Sequence, residues 1–290
     1  MIVTRFAPSP TGYLHLGHAF AAITAREAAR GGRFLLRIED LDAGRAREEF
    51  VQAIFEDLRW LGLDWPEPVL RQSARHDLYR AATARLGSQG LVYPCFCTRG
   101  EISAEIARAA EAPHGSDGPH YPGTCRALSP SRRAALLNSG ASHALRLDSR
   151  RAAERLPPLS FEEAVGSSYT EYRRIAVDPL LFGDIVLARK DVPASYHLAV
   201  VVDDSEQGVT LVTRGDDLLP ASHVQRVLQH LLGLPQPRYA HHRLFVDESG
   251  RKLSKRVESE NLRQLRAKGI SAREVWARLL PFRQPRASGN

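Results

Sequence analysis

The sequence predicts an α/β protein: a doubly wound parallel sheet, interrupted by an inserted α+β domain and closed by a short C-terminal helical segment. Three observations carry this. The β-branched run Ile2-Val3-Thr4 passes through a Pro/Gly loop into an Ala-rich segment, residues 19–30, with apolar residues at helical spacing. A second strand-like run, Arg33–Ile38, is followed at once by Glu39, Asp40 and Asp42 and then by an amphipathic helix over 45–61. Much later, two apolar runs of buried-strand length, residues 196–204 and 209–215, end in polar residues. Strands alternating with helices in this way build a parallel sheet.

The elements follow in order. Phe50, Ile54, Phe55 and Leu58 fall on one side of the helix at 45–61, and a further helix is expected over 75–89. Residues 1–90 therefore form the first half of the sheet. Over 91–190 turn residues become frequent, and this stretch reads as an inserted domain. A short helix is expected at 101–111, a flexible loop at 112–119, and a helix opened by Ser129-Pro130, with Ser as N-cap and Pro at the first position. Short strands are expected at Ala144–Leu147 and at 185–188. The sheet resumes over 191–240, where both 196–204 and 209–215 read as strands and a helix follows at 221–232. Residues 241–290 hold a polar loop, two short helices from Asn261 onward and a Pro/Arg/Gly tail.

Composition sets outer bounds. A chain of 290 residues supports two domains and a sizeable core. No apolar run reaches membrane-spanning length and no signal-peptide pattern opens the chain, so a cytoplasmic protein without a membrane partner is expected, taken as a monomer. The formal net charge of +7, carried mainly by arginine, suits an anionic partner such as RNA.

The stretch Arg5-Phe6-Ala7-Pro8-Ser9-Pro10-Thr11-Gly12-Tyr13-Leu14-His15-Leu16-Gly17-His18 organises the rest. It places two histidines three residues apart on one face of a helix's first turn. Free backbone N–H groups and the helix dipole favour a phosphate there, and Gly17 leaves room for a flat base. A second motif, Lys252-Leu253-Ser254-Lys255-Arg256, follows a turn at Asp247-Glu248-Ser249-Gly250. Together the two stretches resemble the paired signature motifs of class I aminoacyl-tRNA synthetases. The first, with Arg-Phe-Ala before it, resembles the glutamyl branch.

Three cysteines, Cys95, Cys97 and Cys125, are an odd number in a chain expected to be cytosolic. That argues for metal or incidental thiols over a disulfide framework. A tetrahedral site needs a fourth ligand, and Tyr121, His120 and His114 are the candidates by proximity. Ligand chemistry favours histidine. The pattern Cys-x-Cys…Tyr-x₃-Cys, however, resembles the zinc site of a truncated glutamyl-synthetase paralogue, which implies Cys95, Cys97, Tyr121 and Cys125 around one structural Zn²⁺.

The resemblance covers nearly all of residues 1 to 260 and implies a Rossmann-type fold that activates L-glutamate with ATP and Mg²⁺. His15 and His18 would donate to phosphate oxygens, with Gly17 beside the nucleotide, and Lys252 and Lys255 would cover the β- and γ-phosphates. Arg256 stands where the general motif ends in serine. An acidic substrate calls for a buried, forked guanidinium. Arg5 and Arg214, at strand ends, are placed for it, and the resemblance adds Ala7, Ser9, Glu39 and Tyr196 to the glutamate site. Glu39 would meet the ammonium group. Where full synthetases often carry Asn four residues past that tyrosine, this chain has Val200. The stretch after Arg256 is too short for an anticodon-binding domain, so the chain resembles the truncated branch, the glutamyl-queuosine tRNA(Asp) synthetases. These join glutamate to the queuosine base in the anticodon of tRNA(Asp). A minimal conventional glutamyl synthetase, a small HxGH nucleotidyltransferase and a non-catalytic RNA-binding derivative are the rival expectations.

Overall fold

The computed structural model describes residues 1–98, 100–101, 114–115, 118–119, 121–166, 168–190, 192–244 and 260–280, with 114–115 and 118–119 described by backbone alone. The expected helix at 101–111, most of the loop at 112–119, the Lys252–Arg256 motif with its preceding turn, and the terminal tail lie outside the described residues.

The first half of the sheet forms as the alternation requires. β1 (Val3–Phe6) runs into α1 (Leu16–Ala28), which returns to β2 (Arg33–Ile38). β1 and β2 are parallel, pairing Val3 with Arg33 through Phe6 with Leu36. α2 (Glu48–Trp60) follows, then β3 (Leu70–Arg71), parallel to β2, and α3 (His76–Ser88). α2 starts three residues later than expected. Its buried stripe is Val51, Ala53, Ile54, Asp57 and Leu58, while Phe50 and Phe55 are only half-buried.

The middle of the chain holds β4 (Val92–Cys95), the paired backbones β5 (His114–Gly115) and β6 (Gly118–Pro119), and α4 (Pro130–Asn138). In α4 the Ser129 side chain accepts the Arg132 N–H, as its N-cap position demands. β7 (Ala144–Leu147) and α5 (Ser149–Ala153) follow. β4 and β7 form an antiparallel sheet with β10 (Val186–Arg189). Asp184 is buried beside that sheet, where its carboxylate accepts from Tyr93, Arg126 and Ser149. β8 (Ser160–Ala164) and β9 (Tyr172–Ala176) lie in the stretch read as the insert, yet β8 is parallel to a strand of the second half of the main sheet.

One expected strand is a helix. Residues 196–204 belong to α6 (Tyr196–Glu206), opened by Ser195, whose hydroxyl accepts the Leu198 N–H. An uninterrupted apolar run does not by itself separate a buried strand from a helix buried on most sides. Leu198, Ala199, Val200, Val201, Asp203 and Asp204 are all buried, as in a helix covered on most of its sides. That strand is β11 (Leu211–Gly215), followed by α7 (Ala221–Leu231) and β12 (Arg238–His242). β11, β12 and β8 are mutually parallel neighbours in that order, and β9 closes the edge antiparallel to β8.

The two halves meet at β1. Thr210 N–H donates to the Val3 carbonyl at 2.9 Å, so β1 is flanked by β2 on one side and by β11 on the other. This is the point where strand order reverses, and open α/β sheets bind ligands in the crevice outside the carboxyl ends there. Two short helices, α8 (Leu262–Ala267) and α9 (Ala272–Leu279), pack Leu262, Leu265, Val275 and Leu279 into the core shared by α1 and α2. No helix among the described residues is long and apolar enough to cross a membrane.

Asp57 is fully buried on α2, and neither carboxylate oxygen has a hydrogen-bond partner. The nearest cation is Arg266 on α8, with Nη2 at 3.8 Å. Burial pushes this carboxyl up to about 6, above its usual range. The folded state therefore favours the protonated acid. Stability is expected to rise as pH falls from 7 toward 5, by about 1 kcal/mol. Asp57→Asn should flatten that rise in urea titrations at pH 5, 6 and 7.5. An unchanged pH dependence in the variant would contradict the assignment.

Candidate active site

The loop after β1 is pinned by its own backbone. Glu39 N–H donates to the Pro8 carbonyl and Arg47 N–H to that of Pro10, both at 3.0 Å. Ala7 is half-buried and Ser9 exposed at the crevice mouth. The loop delivers His15 as the N-cap of α1 rather than as a residue of its first turn. The His15 Nδ1 accepts the Gly17 N–H at 3.1 Å, and the His18 Nδ1 accepts the His15 N–H at 3.2 Å. The two rings lie against each other, tilted by 33°, with centroids 3.8 Å apart. With both Nδ1 atoms accepting, the proton of each neutral ring sits on Nε2. Burial lowers both pKa values, and His18 falls to about 3 with the help of His15. Each imidazole is therefore a neutral Nε2–H donor at physiological pH, set at a helix N-terminus.

The far end of the chain reaches this loop. Leu262 N–H donates to the Leu14 carbonyl at 2.7 Å, Arg263 Nη1 donates to the Tyr13 hydroxyl at 3.0 Å, and Asn261 bridges to His15. On the other flank, the His242 ring meets Phe20 of α1 edge-on at 5.0 Å. Lys252, Lys255 and Arg256 lie between these flanks in sequence, outside the described residues.

Arg5, Glu39 and Arg214 stand at the carboxyl ends of β1, β2 and β11, three neighbouring strands. Among the described residues three arginines are buried: Arg5, Arg37 and Arg214. Two are matched by carboxylates. Asp204 Oδ1 accepts from Arg5 Nε at 3.0 Å and from Arg37 Nη1 at 2.7 Å, while Arg37 Nη2 donates to Glu39 at 3.1 Å. Asp203 beside it accepts from Arg75, Gln72 and Tyr79. Burial raises the Glu39 pKa despite Arg37 and Arg5. For Asp204, burial acts upward, but Arg5 and Arg37 outweigh it and hold the carboxyl below its usual range.

Arg214 differs. Its Nε donates to His241 Nε2 at 3.1 Å, Nη1 to Gln225 at 2.8 Å and Nη2 to Ser222 at 2.6 Å, with the Tyr196 hydroxyl 3.5 Å from Nη1. Every one of these partners is neutral. Four of its five N–H groups are thus engaged, the Tyr196 contact being the longest, and one remains on Nη2; release of Tyr196 frees one on each terminal nitrogen, the arrangement that receives both oxygens of a carboxylate. Tyr196 opens α6 and is exposed at the rim, whereas Val200, one turn on, is buried.

Four participants were missed in the sequence. Arg37 breaks the apolar run Phe34-Leu35-Leu36-Arg37-Ile38, and a cation in a buried strand signals a buried partner. Asp204 was visible as half of Asp203-Asp204, but reading the run as a strand hid which way it faced. His241 and Glu163 carried no signal at all, since 78 positions separate their paired atoms.

The cysteines gather away from the strand ends. The Sγ atoms of Cys95, Cys97 and Cys125 lie within 4.8 Å of one another. Cys97 Sγ is 3.3 Å from Cys125 Sγ and 3.4 Å from the Tyr121 hydroxyl. The same hydroxyl accepts the Cys125 N–H at 2.8 Å, and Arg146 lies over the Tyr121 ring at 4.0 Å. Four ligands around zinc stand about 3.8 Å apart, so three thiols and a phenol at this spacing suit that ion. His120 lies outside the described residues, and no side chain is described for His114.

A Rossmann-like parallel sheet with histidines at the first helix and a buried cation at a neighbouring strand end is the arrangement of a nucleotide-using α/β enzyme. The family model described as "tRNA synthetases class I (E and Q), catalytic domain" matches residues 1–279, and the chain belongs to that family of ligases. The Rhodobacter capsulatus protein named Glutamyl-Q tRNA(Asp) synthetase is 48% identical over 279 residues, 94% of this chain and 98% of that protein. A protein of the same name from Nocardia farcinica is 46% identical, over 97% of this chain and 86% of its own. Among solved structures, a glutamate tRNA ligase from Elizabethkingia meningosepticum in complex with its amino acid superposes with a TM-score of 0.67 at 27% identity. It matches 84% of this chain, which spans about half of that longer protein.

Proposed function

We propose that this chain joins L-glutamate to the queuosine base in the anticodon of tRNA(Asp) by way of glutamyl-adenylate. The α-carboxylate of glutamate attacks the α-phosphorus of ATP and pyrophosphate leaves. A hydroxyl of queuosine then attacks the adenylate carbonyl, forming an ester and releasing AMP. The observation that carries the glutamate half is Arg214, a buried guanidinium whose hydrogen-bond partners are all neutral. A glutamate side chain supplies a negative charge in direct contact and accepts the spare Nη2–H together with the Nη1–H that Tyr196 holds at 3.5 Å. Glu39, on the adjacent strand end but one, is the counterpart for the ammonium group. Arg5, Ala7, Ser9 and Tyr196 line the remainder of the amino-acid site in this reading.

His15 and His18 donate Nε2–H to phosphate oxygens as charge develops on them, with Gly17 beside the base. Lys252 and Lys255 are assigned to the outer phosphates by the likeness of their motif to the family's second signature, and Asn261, six positions after Lys255, bridges to His15. Mg²⁺ enters with ATP and neutralises phosphate charge. The acceptor half rests on the names of relatives that the chain matches over most of their length.

Labelled glutamate offered to tRNA(Asp) with and without queuosine tests the whole reading. Label is expected to need queuosine and to survive removal of the 3′-terminal adenosine. Label on the 3′ end of tRNA(Glu) would instead make the chain a minimal conventional synthetase.

Cys95, Cys97, Cys125 and Tyr121 are proposed to hold one structural zinc ion that staples the irregular middle of the chain. The three free thiols fit a reducing compartment, the cytoplasm. Purified protein is expected to carry about one zinc per chain. Chelation should lower its melting temperature, and metal-free protein with an unchanged melting temperature would overturn the assignment.

A further inference from the structure

The Nε of Arg214 is held by a chain of two side chains that reaches across three strands. His241 on β12 accepts that N–H at its Nε2, and its Nδ1 lies 2.8 Å from Glu163 Oε2 on β8. The other Glu163 oxygen accepts the His241 backbone N–H at 3.0 Å, so the carboxylate is anchored at both oxygens. The His241 and Glu163 side chains are 2% and 4% exposed. A carboxylate only accepts, so Nδ1 carries the ring proton and Nε2 presents a lone pair. This is the one tautomer that receives the Arg214 Nε–H.

We propose that Glu163 and His241 are positioning residues for Arg214: Glu163 fixes the tautomer of His241, and His241 fixes the plane of the guanidinium. The proposal rests on the reading of Arg214 as the group that selects the glutamate side chain. Gln225 and Ser222 each hold one terminal nitrogen, which leaves the third corner, Nε, to set the tilt. A planar fork binds both carboxylate oxygens only when the two planes align. A fixed pair of donors also rejects glutamine, because the amide turns its own N–H groups toward one of them. Loss of the relay therefore weakens glutamate binding and relaxes discrimination against glutamine, while the nucleotide end keeps its contacts.

The test is ATP–pyrophosphate exchange driven by glutamate or by glutamine, comparing wild type with His241→Ala, His241→Gln and Glu163→Ala. Loss of one buried hydrogen bond predicts about a tenfold rise in the glutamate KM for both alanine variants, with the ATP KM unchanged. His241→Gln is expected to restore most of the loss, since its amide oxygen substitutes for the Nε2 lone pair. A relay of purely structural importance would shift both KM values together and gain nothing from His241→Gln, and that outcome overturns the proposal. So does an unchanged glutamate KM in His241→Ala. Glu163→Ala carries the same test from the other end if one variant fails to fold. Arg214→Lys separates the two levels. An unchanged glutamate KM there would sink the reading of Arg214 itself, whereas a raised KM beside a silent His241→Ala sinks the relay alone.

Discussion

Arg214→Ala is expected to lower kcat/KM for glutamate in pyrophosphate exchange by about a hundredfold or more, chiefly through KM. Truncating one partner of a buried, hydrogen-bonded charge pair costs about 2–5 kcal/mol of affinity. Among the described residues the lost partner is the carboxylate's only unmatched counter-charge on its side of the crevice, because the Arg5 and Arg37 charges are already met by Asp204 and Glu39. The folded protein itself should tolerate the change. Gln225, Ser222 and His241 lose a donor, while the buried Glu163 carboxylate keeps both of its His241 hydrogen bonds, so the melting temperature should fall less than activity. A variant whose glutamate KM stays within twofold of wild type would refute the clamp.

Asp204→Asn should show the opposite balance. One carboxylate oxygen serves two guanidiniums, Arg5 at 3.0 Å and Arg37 at 2.7 Å, and Arg37 is fully buried. An amide of the same shape removes the charge and leaves both cations without it in a place water does not reach. Breaking a buried pair in this way costs about 3–5 kcal/mol of stability, a drop of roughly 10 °C in melting temperature. The sign of the pH dependence agrees. The Asp204 pKa is held down, so its contribution is fully present above the ordinary carboxylate pKa and is lost only as pH falls toward the depressed value. Arg37→Met added to Asp204→Asn should recover part of the loss, because an apolar side chain of similar length needs no counter-ion. A single variant that melts with wild type would show the network to be idle.

How far the sequence carried the fold depended on how local each signal was. The strand–loop–helix at residues 2–28, the second strand and its acidic end, Ser129 as an N-cap and the two helices after Asn261 all follow from neighbours a few residues apart. The run at 196–204 did not, because Val200-Val201-Val202 satisfies a buried strand and a buried helix equally. What decides is the packing of α3 and α7 against it, which no local signal carries. The site divided along the same line. His15 and His18 stand in one short motif and meet in space. Arg5, Glu39 and Arg214 were named from strand ends and do converge on neighbouring strands. What stayed hidden was pairing at long range, Arg37 and Arg5 on Asp204 and Glu163 on His241, where no spacing along the chain hints at contact.

The paired histidines at the start of α1 have one more consequence. Each ring divides its duties between two atoms: Nδ1 closes the helix cap, and Nε2 is left to carry the proton. Folding and chemistry can therefore be taken apart one atom at a time. An asparagine side chain reproduces the acceptor at the Nδ1 place and has nothing at Nε2. His15→Asn should thus be a well-folded protein that has lost its tool, while His15→Ala confounds the two losses and melts earlier by the cost of a missing N-cap, about 1 kcal/mol.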